Sequence, residues 1–162
     1  MYHSAAPKSP IILIPTRLAA ARLPRKPLAD IAGSPMILHV WRHAVAAEIG
    51  PVVVASGDRE IADIVEREGG RAVLTDPDLP TGSDRIHAAI TGLDPERRHD
   101  AIINVQGDMP MLDPAAIRVA LEAGMRFSVS LINKARLGVQ VDTPADLARA
   151  RELMSAAQPF CG

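Results

Sequence analysis

The sequence predicts an α/β fold with a mostly parallel sheet, on the strength of two observations. Short runs of large aliphatic residues, typical of strands buried on both faces, alternate with segments that carry apolar residues at helical spacing. The 162 residues are 48% hydrophobic but only 2% aromatic, so the core has to be built from Ala, Val, Ile and Leu. Strands that alternate with helices in units of this length imply parallel pairing within one domain.

Four aliphatic runs predict the strands of this sheet. They are residues 11–14, 52–55, 72–74 and 101–105. Pro15 has no N–H to donate, so we expect it to end the first strand. A further strand is predicted at residues 127–132.

Apolar periodicity and capping residues predict the helices between these strands. The first covers residues 36–48 and ends at Gly50 and Pro51; the second has Ile61, Ile64 and Val65 on one side and ends at Gly69 and Gly70. Ser83 is the expected cap of a helix over residues 84–91. A helix over residues 114–125 has Ile117, Leu121 and Met125 at four-residue spacing, and the last helix has Thr143 as N-cap, Pro144 at N1 and Asp146 at N3.

A basic loop with two prolines follows the first strand. Its cations are Arg17, Arg22, Arg25 and Lys26, and its backbone is stiffened by Pro24 and Pro27. Open α/β sheets bind ligands at the carboxyl ends of their strands, where this loop begins. Because guanidinium and ammonium groups bind phosphate oxygens, the loop is a candidate polyphosphate site. The alternative is a solvated basic turn.

Two acidic residues are candidate ligands of a hard cation. Asp108 follows the strand over residues 101–105 in the motif N-V-Q-G-D-M-P, where a carboxylate at the sheet edge could bind Mg²⁺. Gly107 lets the backbone approach a ligand, and Gln106 could bond a base. An ordinary turn in which Asp108 only caps is an equal alternative. Asp142, just before the cap Thr143, could join Asp108 on one metal ion.

Composition and missing motifs exclude several classes of protein. Eighteen basic and nineteen acidic side chains leave a formal charge of -1, which removes the broad electrostatic reason to expect nucleic-acid binding. The chain has no G-x-x-x-x-G-K-[ST] motif, which disfavours P-loop NTP hydrolysis. It also has no G-x-G-x-x-G motif, which disfavours a dinucleotide cofactor, and no G-x-S-x-G motif, which argues against an α/β-hydrolase. His39 and His43 have zinc spacing but no third ligand, so we interpret them as partly exposed helix residues.

The same features predict the compartment. The N-terminus is polar, and the apolar run after it is too short for a signal peptide or a membrane span. The single cysteine, Cys161, allows no intramolecular disulfide and favours a reducing compartment. We therefore expect a soluble cytoplasmic protein without a membrane partner.

Four segments together resemble one enzyme family. In chain order they are I-P-T-R-L-A-A-A-R-L-P-R-K-P-L, T-G-S-D-R-I, I-I-N-V-Q-G-D and V-D-T-P-A-D-L. They resemble the cytidylyltransferases that activate 3-deoxy-manno-octulosonate (Kdo), also called CMP-Kdo synthetases, and the likeness extends over residues 11–154. The resemblance implies a Rossmann-like three-layer nucleotidyltransferase core with a mostly parallel sheet. It also implies Mg²⁺-dependent transfer of CMP from CTP to Kdo, with release of pyrophosphate, for lipopolysaccharide biosynthesis.

The resemblance further implies roles for individual residues. The phosphate-binding cations of the family correspond to Arg17 and Lys26, with Arg22 close by. Its second nucleotide-binding loop corresponds to Gly82, Ser83 and Arg85. Gln106 and Gly107 fall beside the nucleotide, while Asp108 and Asp142 match the metal-binding carboxylates. Arg17, Lys26 and Asp108 are thereby the candidate catalytic residues.

A long central segment of the family has no counterpart in this chain. Q-G-D-M-P-M-L-D-P-A-A-I-R resembles the middle of a family member, whereas L-E-A-G-M-R-F-S-V-S-L-I resembles a part close to its C-terminus. We therefore expect an internal deletion with its junction near residues 118–121. In relatives this segment supplies much of the Kdo pocket and the dimer interface, so an incomplete Kdo pocket and the loss of homodimer contacts are expected. The expected domain organisation is a flexible N-terminus (1–10), one domain (11–157) and a tail (158–162).

Two alternatives to the Kdo enzyme remain open. One is an inactive remnant that at most binds nucleotide, and the other is a cytidylyltransferase for another acidic sugar, such as a sialic acid. The basic loop also differs from the family pattern. Arg25 stands where the family usually has Gly, and Ala20 and Ala21 stand where hydroxyl residues are common.

Overall fold

Four parallel strands form the central sheet of the computed structural model, which describes residues 7–122 and 141–156. The described residues contain six strands in all, which are β1 (Pro10–Thr16), β2 (Asp30–Ile31), β3 (Ser34–Pro35), β4 (Val52–Ser56), β5 (Arg71–Leu74) and β6 (Ala101–Asn104). The sheet has the order β5-β4-β1-β6, while β2 and β3 form a separate antiparallel pair. The predicted parallel sheet is confirmed, but the small β2–β3 pair was not predicted.

Five α-helices and one 3₁₀ turn connect these strands. They are the 3₁₀ turn Lys26–Leu28, α1 (Met36–Ala46), α2 (Arg59–Arg67), α3 (Gly82–Leu93), α4 (Pro114–Glu122) and α5 (Pro144–Ala156). The predicted strand over residues 127–132, the helix end at Met125, residues 1–6 and the tail over residues 158–162 lie outside the described residues. Within residues 7–122 and 141–156, the helices lack the length and apolar character needed to cross a membrane.

Helices cover both faces of the sheet and form three layers. On one face, the β1 side chains of Ile12 and Ile14 pack in a cluster with buried residues of α1, α2 and α4. On the other, Ile11 and Leu13 pack with Ile86 of α3. Successive side chains of a strand point to opposite faces, so a run of four aliphatic residues serves both layers. The predicted three-layer core is confirmed.

Pro15 does not end β1, and this prediction was wrong. Pro15 pairs with Ala55, and β1 continues to Thr16. Two residues earlier, Leu13 O accepts a hydrogen bond of 3.0 Å from Val105 N, which follows β6. The hydrogen-bonding direction of the backbone alternates along a strand, so the nitrogen of Pro15 faces the same side as Leu13 O. At that level β6 has already ended. A backbone donor has no ladder partner there, so proline is tolerated inside this central strand.

Thr81, not Ser83, caps α3, which corrects a second prediction. The helix begins at Gly82, and Thr81 Oγ1 accepts a hydrogen bond of 3.1 Å from Asp84 N. An N-cap residue needs extended backbone, and Thr81 has it with φ -129° and ψ 161°. Ser83 already lies inside the first turn.

The predicted cap of α5 is confirmed. Asp146 N donates to Thr143 Oγ1 at 3.2 Å, and the Asp146 carboxylate accepts from Thr143 N at 2.9 Å. This reciprocal pair is a capping box. Hydrogen bonds from the Thr143 hydroxyl and from the Asp142 amide lower the pKa of Asp146. The cap therefore fixes the backbone on which Asp142 lies.

Candidate functional site

A cleft of about 330 Å³ opens at the carboxyl end of β1. It is bounded by the basic loop after β1, the loop before α3 and the loop after β6. Several predicted site residues line it: Arg17, Lys26, Gly82, Arg85, Gln106, Gly107 and Asp108. Three predicted site residues lie outside this lining: the exposed Arg22 and Ser83, and Asp142. The structure thus brings most of the predicted site residues to one edge of the sheet, as expected for a parallel α/β sheet.

Lys26 joins the two predicted carboxylates. Its Nζ lies 3.0 Å from Asp108 Oδ2 and 3.1 Å from Asp142 Oδ1. The partners are 82 and 116 residues away from Lys26 in the sequence. The backbone reinforces this meeting, because Val141 N donates to Asp108 O at 2.9 Å. Asp108 and Asp142 therefore converge as predicted, with the ammonium group of Lys26 bonded to both.

Gly107 allows the loop after β6 to lie against the end of β1. A Cβ atom at this position would be 2.9 Å from Pro15 O, closer than real Cβ atoms approach other atoms. The neighbouring Gln106 donates from Nε2 to Asn104 Oδ1 at 3.0 Å. Close backbone packing on β1 therefore fixes the position from which Asp108 faces the cleft.

Asp58 anchors the basic loop and was not recognised from the sequence as a site residue. Its Oδ2 accepts a hydrogen bond of 2.7 Å from Leu18 N, at the start of the loop. The far end of the loop is also bonded to Leu18, because Arg25 N donates to Leu18 O at 3.2 Å. The signal available in the sequence was an aspartate just beyond the strand over residues 52–55, at the same edge as Asp108.

Arg85 of α3 is buried and donates hydrogen bonds to the loop between β5 and α3. Only 2% of the residue is exposed, and its guanidinium donates to Thr75 Oγ1, to Asp76 O at 3.0 Å and to Pro77 O at 3.3 Å. Burial, reinforced by the nearby positive charge of Arg17, lowers the pKa of Arg85. Arg85 therefore holds the segment between β5 and α3 in shape, and this segment forms one wall of the cleft.

Arg17 spans the cleft from the opposite wall. Its side chain is exposed, and Nη1 donates to Leu79 O over a long distance of 3.4 Å. An exposed guanidinium held by one long hydrogen bond can turn towards an anion in the cleft at little cost. Leu79 belongs to the loop before α3, to which Arg85 also donates hydrogen bonds, so both arginines contact the same wall of the cleft.

Arg25 points away from the cleft. Its Nη2 pairs with Glu60 Oε1 of α2 at 2.5 Å, and both side chains are about half exposed. Its backbone has φ 56° and ψ 26°, the left-handed region that favours glycine. The Gly that the resemblance leads one to expect at this position thus has a conformational reason, and Arg25 is not among the residues that line the cleft.

Replacing Arg25 should separate backbone strain from the ion pair. Arg25→Gly and Arg25→Ala both remove the pair with Glu60, but only Ala keeps a Cβ in the left-handed region. We expect the Gly variant to have a free energy of unfolding higher than that of the Ala variant by about 1 kcal/mol. Urea unfolding of both variants measures this difference. Equal stabilities would contradict a left-handed backbone at position 25.

His43 of α1 supports the loop that carries Asp108. Burial and the nearby His39 lower the pKa of His43 below its ordinary value of 6.5, against smaller opposite effects of the Pro110 carbonyl and Asp113. Its Nδ1 is buried and has no hydrogen-bond partner among the described residues. The folded chain therefore holds this imidazole in its neutral form more readily than the unfolded chain does.

Stability should consequently fall as the pH decreases through this range. The unfolded state binds a proton at His43 that the folded state does not, so this contribution to stability is complete above pH 6.5 and is lost below it. We expect His43→Gln to lose less stability than the wild type between about pH 7.5 and about pH 5.5. Urea unfolding at several pH values tests this, with His87→Gln on the exposed side of α3 as control. Identical pH dependence in the wild type and His43→Gln would refute it.

Comparisons with known proteins place these features in context. The sequence model described as cytidylyltransferase matches residues 11–158. The chain is 54% identical over 143 residues to the 3-deoxy-manno-octulosonate cytidylyltransferase of Rhodospirillum centenum, covering 88% of this chain and 56% of that protein. It is 62% identical over 110 residues to the protein of the same name from Paramagnetospirillum magneticum, covering 68% of this chain and 45% of that protein.

A solved structure shows the same likeness in three dimensions. It is CMP:2-keto-3-deoxy-manno-octonic acid synthetase complexed with CTP, and it matches with a TM-score of 0.65 and 38% identity. The match covers 74% of this chain and 48% of that one. The chain therefore spans about half the length of these three relatives.

Proposed function

Because the chain belongs to the cytidylyltransferase family, we propose that it binds CTP in the cleft beside β1 and transfers CMP to the anomeric hydroxyl of Kdo. The observation that carries this proposal is the meeting of Lys26 with Asp108 and Asp142 at the carboxyl edge of the sheet. The names of the relatives supply the substrate, and the CTP complex of the similar synthetase supplies the nucleotide. Pyrophosphate is the leaving group of this reaction.

Asp108 and Asp142 are the proposed protein ligands of Mg²⁺. Among the described residues there is no group of three or more His, Cys, Asp or Glu side chains arranged for a metal ion. Two carboxylates nevertheless fit Mg²⁺, which commonly takes one or two carboxylates and completes its shell with substrate phosphates and water. When bound, Mg²⁺ would withdraw negative charge from the phosphoryl oxygens.

The cations of the basic loop are proposed to hold the triphosphate. Arg17 lines the cleft with an exposed side chain, and Lys26 lines it with a side chain that is mostly buried. Arg22, exposed on the same loop, would contribute to attracting the anion. Transfer at the α-phosphate needs charge neutralisation and an aligned sugar hydroxyl, not a protein nucleophile. This requirement matches a cleft built from cations, carboxylates and backbone.

The second wall of the cleft is proposed to receive the nucleoside. Gly82 begins α3, whose first turn presents backbone N–H groups and the positive end of the helix dipole. Ser83 belongs to the same turn, and Arg85 donates hydrogen bonds to the loop between β5 and α3. Across the cleft, the Gln106 amide and the close backbone at Gly107 are the proposed contacts of the base.

The Kdo pocket is proposed to be incomplete in this chain. We propose that a central segment is missing near residues 118–121. Helix α4 runs through this junction, and Arg118 Nη1 donates to Ala46 O and Ala47 O at 3.3 Å, which docks the helix on the end of α1. A folded nucleotide-binding core with an incomplete Kdo pocket and without the family's dimer contacts is therefore expected. The half-length match favours, as a second candidate, a remnant that binds nucleotide without catalysis.

Calorimetry and a turnover assay together test the function. We expect CTP to bind in the presence of Mg²⁺, and Kdo to bind weakly afterwards. Absence of CTP binding would reject the nucleotide-binding core, while tight Kdo binding would reject the missing pocket. Release of pyrophosphate with CTP and Kdo would distinguish an enzyme from a remnant, and a panel that includes a sialic acid would reveal another acidic sugar. Use of the product CMP-Kdo in lipopolysaccharide biosynthesis remains a prediction that follows from this reaction. A cytoplasmic location likewise remains a prediction.

A further inference from the structure

Lys26 occupies the position from which one cation can bind both carboxylates of the site. Its side chain and that of Asp108 are each 17% exposed, so water screens their ion pair only in part. We propose that Lys26 is an internal counter-ion, which holds Asp108 and Asp142 together until a metal-bound nucleotide arrives and then releases both carboxylates. This inference rests on the proposed function and adds a step to it.

The backbone explains why a counter-ion is needed. The hydrogen bond from Val141 N to Asp108 O places the two acidic segments side by side. Asp142 N donates to Asp146 Oδ2 at 3.2 Å, so the capping box of α5 also restrains Asp142. Two carboxylates converging on one atom repel each other unless a cation lies between them. Lys26 removes this repulsion in the metal-free chain.

Lys26 cannot keep both contacts when a divalent cation takes the carboxylates. The metal would bind oxygens that Lys26 Nζ already contacts at 3.0 and 3.1 Å, and the two positive charges would repel each other. Lysine carries its charge on a flexible four-carbon stem with three donors, so its ammonium can move to a nearby acceptor. The phosphates of a bound nucleotide would provide one, because Lys26 and Arg17 line the same cleft.

This exchange predicts that metal and nucleotide bind cooperatively. A divalent cation alone has to displace Lys26 without offering it a new partner, so it should bind weakly. With CTP present, Lys26 exchanges two carboxylates for phosphate oxygens, and both ligands gain affinity by the same factor. The strength of the coupling should therefore depend on the side chain at position 26.

Titration with Mn²⁺ in the absence of nucleotide is the direct test. Free Mn²⁺ is measured by electron paramagnetic resonance in the wild type and in Lys26→Met. We expect the Met variant to bind Mn²⁺ about tenfold more tightly, because the competing ammonium is gone. Lys26→Arg keeps the charge and should bind as weakly as the wild type. Arg25→Met is the matched control: it removes one charge from the adjacent position, where the ion pair is with Glu60, and should leave the Mn²⁺ affinity unchanged.

The outcomes separate this inference from the proposed function. If Lys26→Met binds Mn²⁺ no more tightly than Arg25→Met, the counter-ion role is wrong, even where CTP binding in Mg²⁺ remains intact. If the wild type binds no CTP with Mg²⁺, the proposed function is wrong, while the Mn²⁺ titrations still decide the role of Lys26. The added effect of CTP on the Mn²⁺ affinity should be smaller in Lys26→Met than in the wild type.

A measurement on the wild type covers the case in which Lys26→Met does not fold. Acetylation of Lys26 is followed by mass spectrometry relative to Lys8, which precedes the opposite end of β1. Pairing with two carboxylates should make Lys26 react more slowly than Lys8 in the metal-free chain. Saturating Mn²⁺ without nucleotide should speed the reaction of Lys26 and leave that of Lys8 unchanged. An unchanged ratio would overturn the inference.

Discussion

Asp108→Asn is expected to reduce Mg²⁺-dependent pyrophosphate release by roughly 100- to 1,000-fold. The substitution preserves the shape of the side chain but removes the charge that would bind the metal. Lys26 keeps its contact with Asp142, so the chain should remain folded. The measurement is turnover with CTP and Kdo, accompanied by calorimetry of CTP with and without Mg²⁺. If the chain has no turnover, the expected result is loss of the Mg²⁺ dependence of CTP binding.

Asp113→Asn is the matched control for this experiment. Asp113 is an exposed residue of the same loop, and its Oδ1 accepts a hydrogen bond of 2.8 Å from Ala115 N at the start of α4. Asn also serves as a helix cap, so this variant changes the charge without removing the local structure. We expect near wild-type behaviour. Similar losses in both variants, or no loss in Asp108→Asn, would refute the metal-ligand role of Asp108.

Arg85→Met should lower the free energy of unfolding by about 3 kcal/mol. The guanidinium is buried, and its removal leaves Thr75 and the carbonyls of Asp76 and Pro77 without their donor. Because this segment forms a wall of the cleft, we also expect a higher KM for CTP with a smaller change in kcat. Arg85→Lys should recover only part of the stability, since one ammonium group cannot replace the fork of donors.

Arg17→Met distinguishes shaping of the cleft from binding in it. Arg17 lines the same cleft as Arg85 but is exposed, so its loss should change the free energy of unfolding by less than about 0.5 kcal/mol. The affinity of the Arg17→Met variant for CTP should nevertheless fall, because the substitution removes a phosphate-binding cation. Urea unfolding and CTP titration of both variants test the contrast. An Arg85→Met variant as stable as Arg17→Met would show that the buried hydrogen bonds of Arg85 do not hold the loop.

Sequence reasoning succeeded where the determining contacts are local. The aliphatic residues of β1 predict a strand buried on both faces, whatever its neighbours are. The α5 cap was predicted for the same reason, because Thr143 and Asp146 bond each other within one helical turn. It failed at Pro15, where the outcome depends on how far the neighbouring strand β6 extends. It also failed at Ser83, although the cap is a local contact: two hydroxyl residues lie close together in the sequence at this helix start, and only the extended backbone of Thr81 decides which of them caps.

Two residues of the site show the same limit. Asp58 anchors the basic loop through Leu18 N, a contact between segments on neighbouring strands that no local motif encodes. Arg85 was expected to bind nucleotide by resemblance, and burial directs its hydrogen bonds to its own loop. Residue type and spacing did not assign either role, because the role of Asp58 depends on a contact between distant segments and that of Arg85 depends on burial of its guanidinium.

By itself, the sequence determined the parallel three-layer core, the cap of α5 and the set of charged residues at the carboxyl edge of the sheet. Tertiary structure decided how these charges pair. Lys26 meets Asp108 and Asp142 across 82 and 116 residues of chain. It does so because the loops after β1 and β6 and the segment before α5 lie at the same edge of the sheet. Periodicity records which face of an element is buried, whereas an ion pair between distant segments depends on where the folded backbone puts each of them.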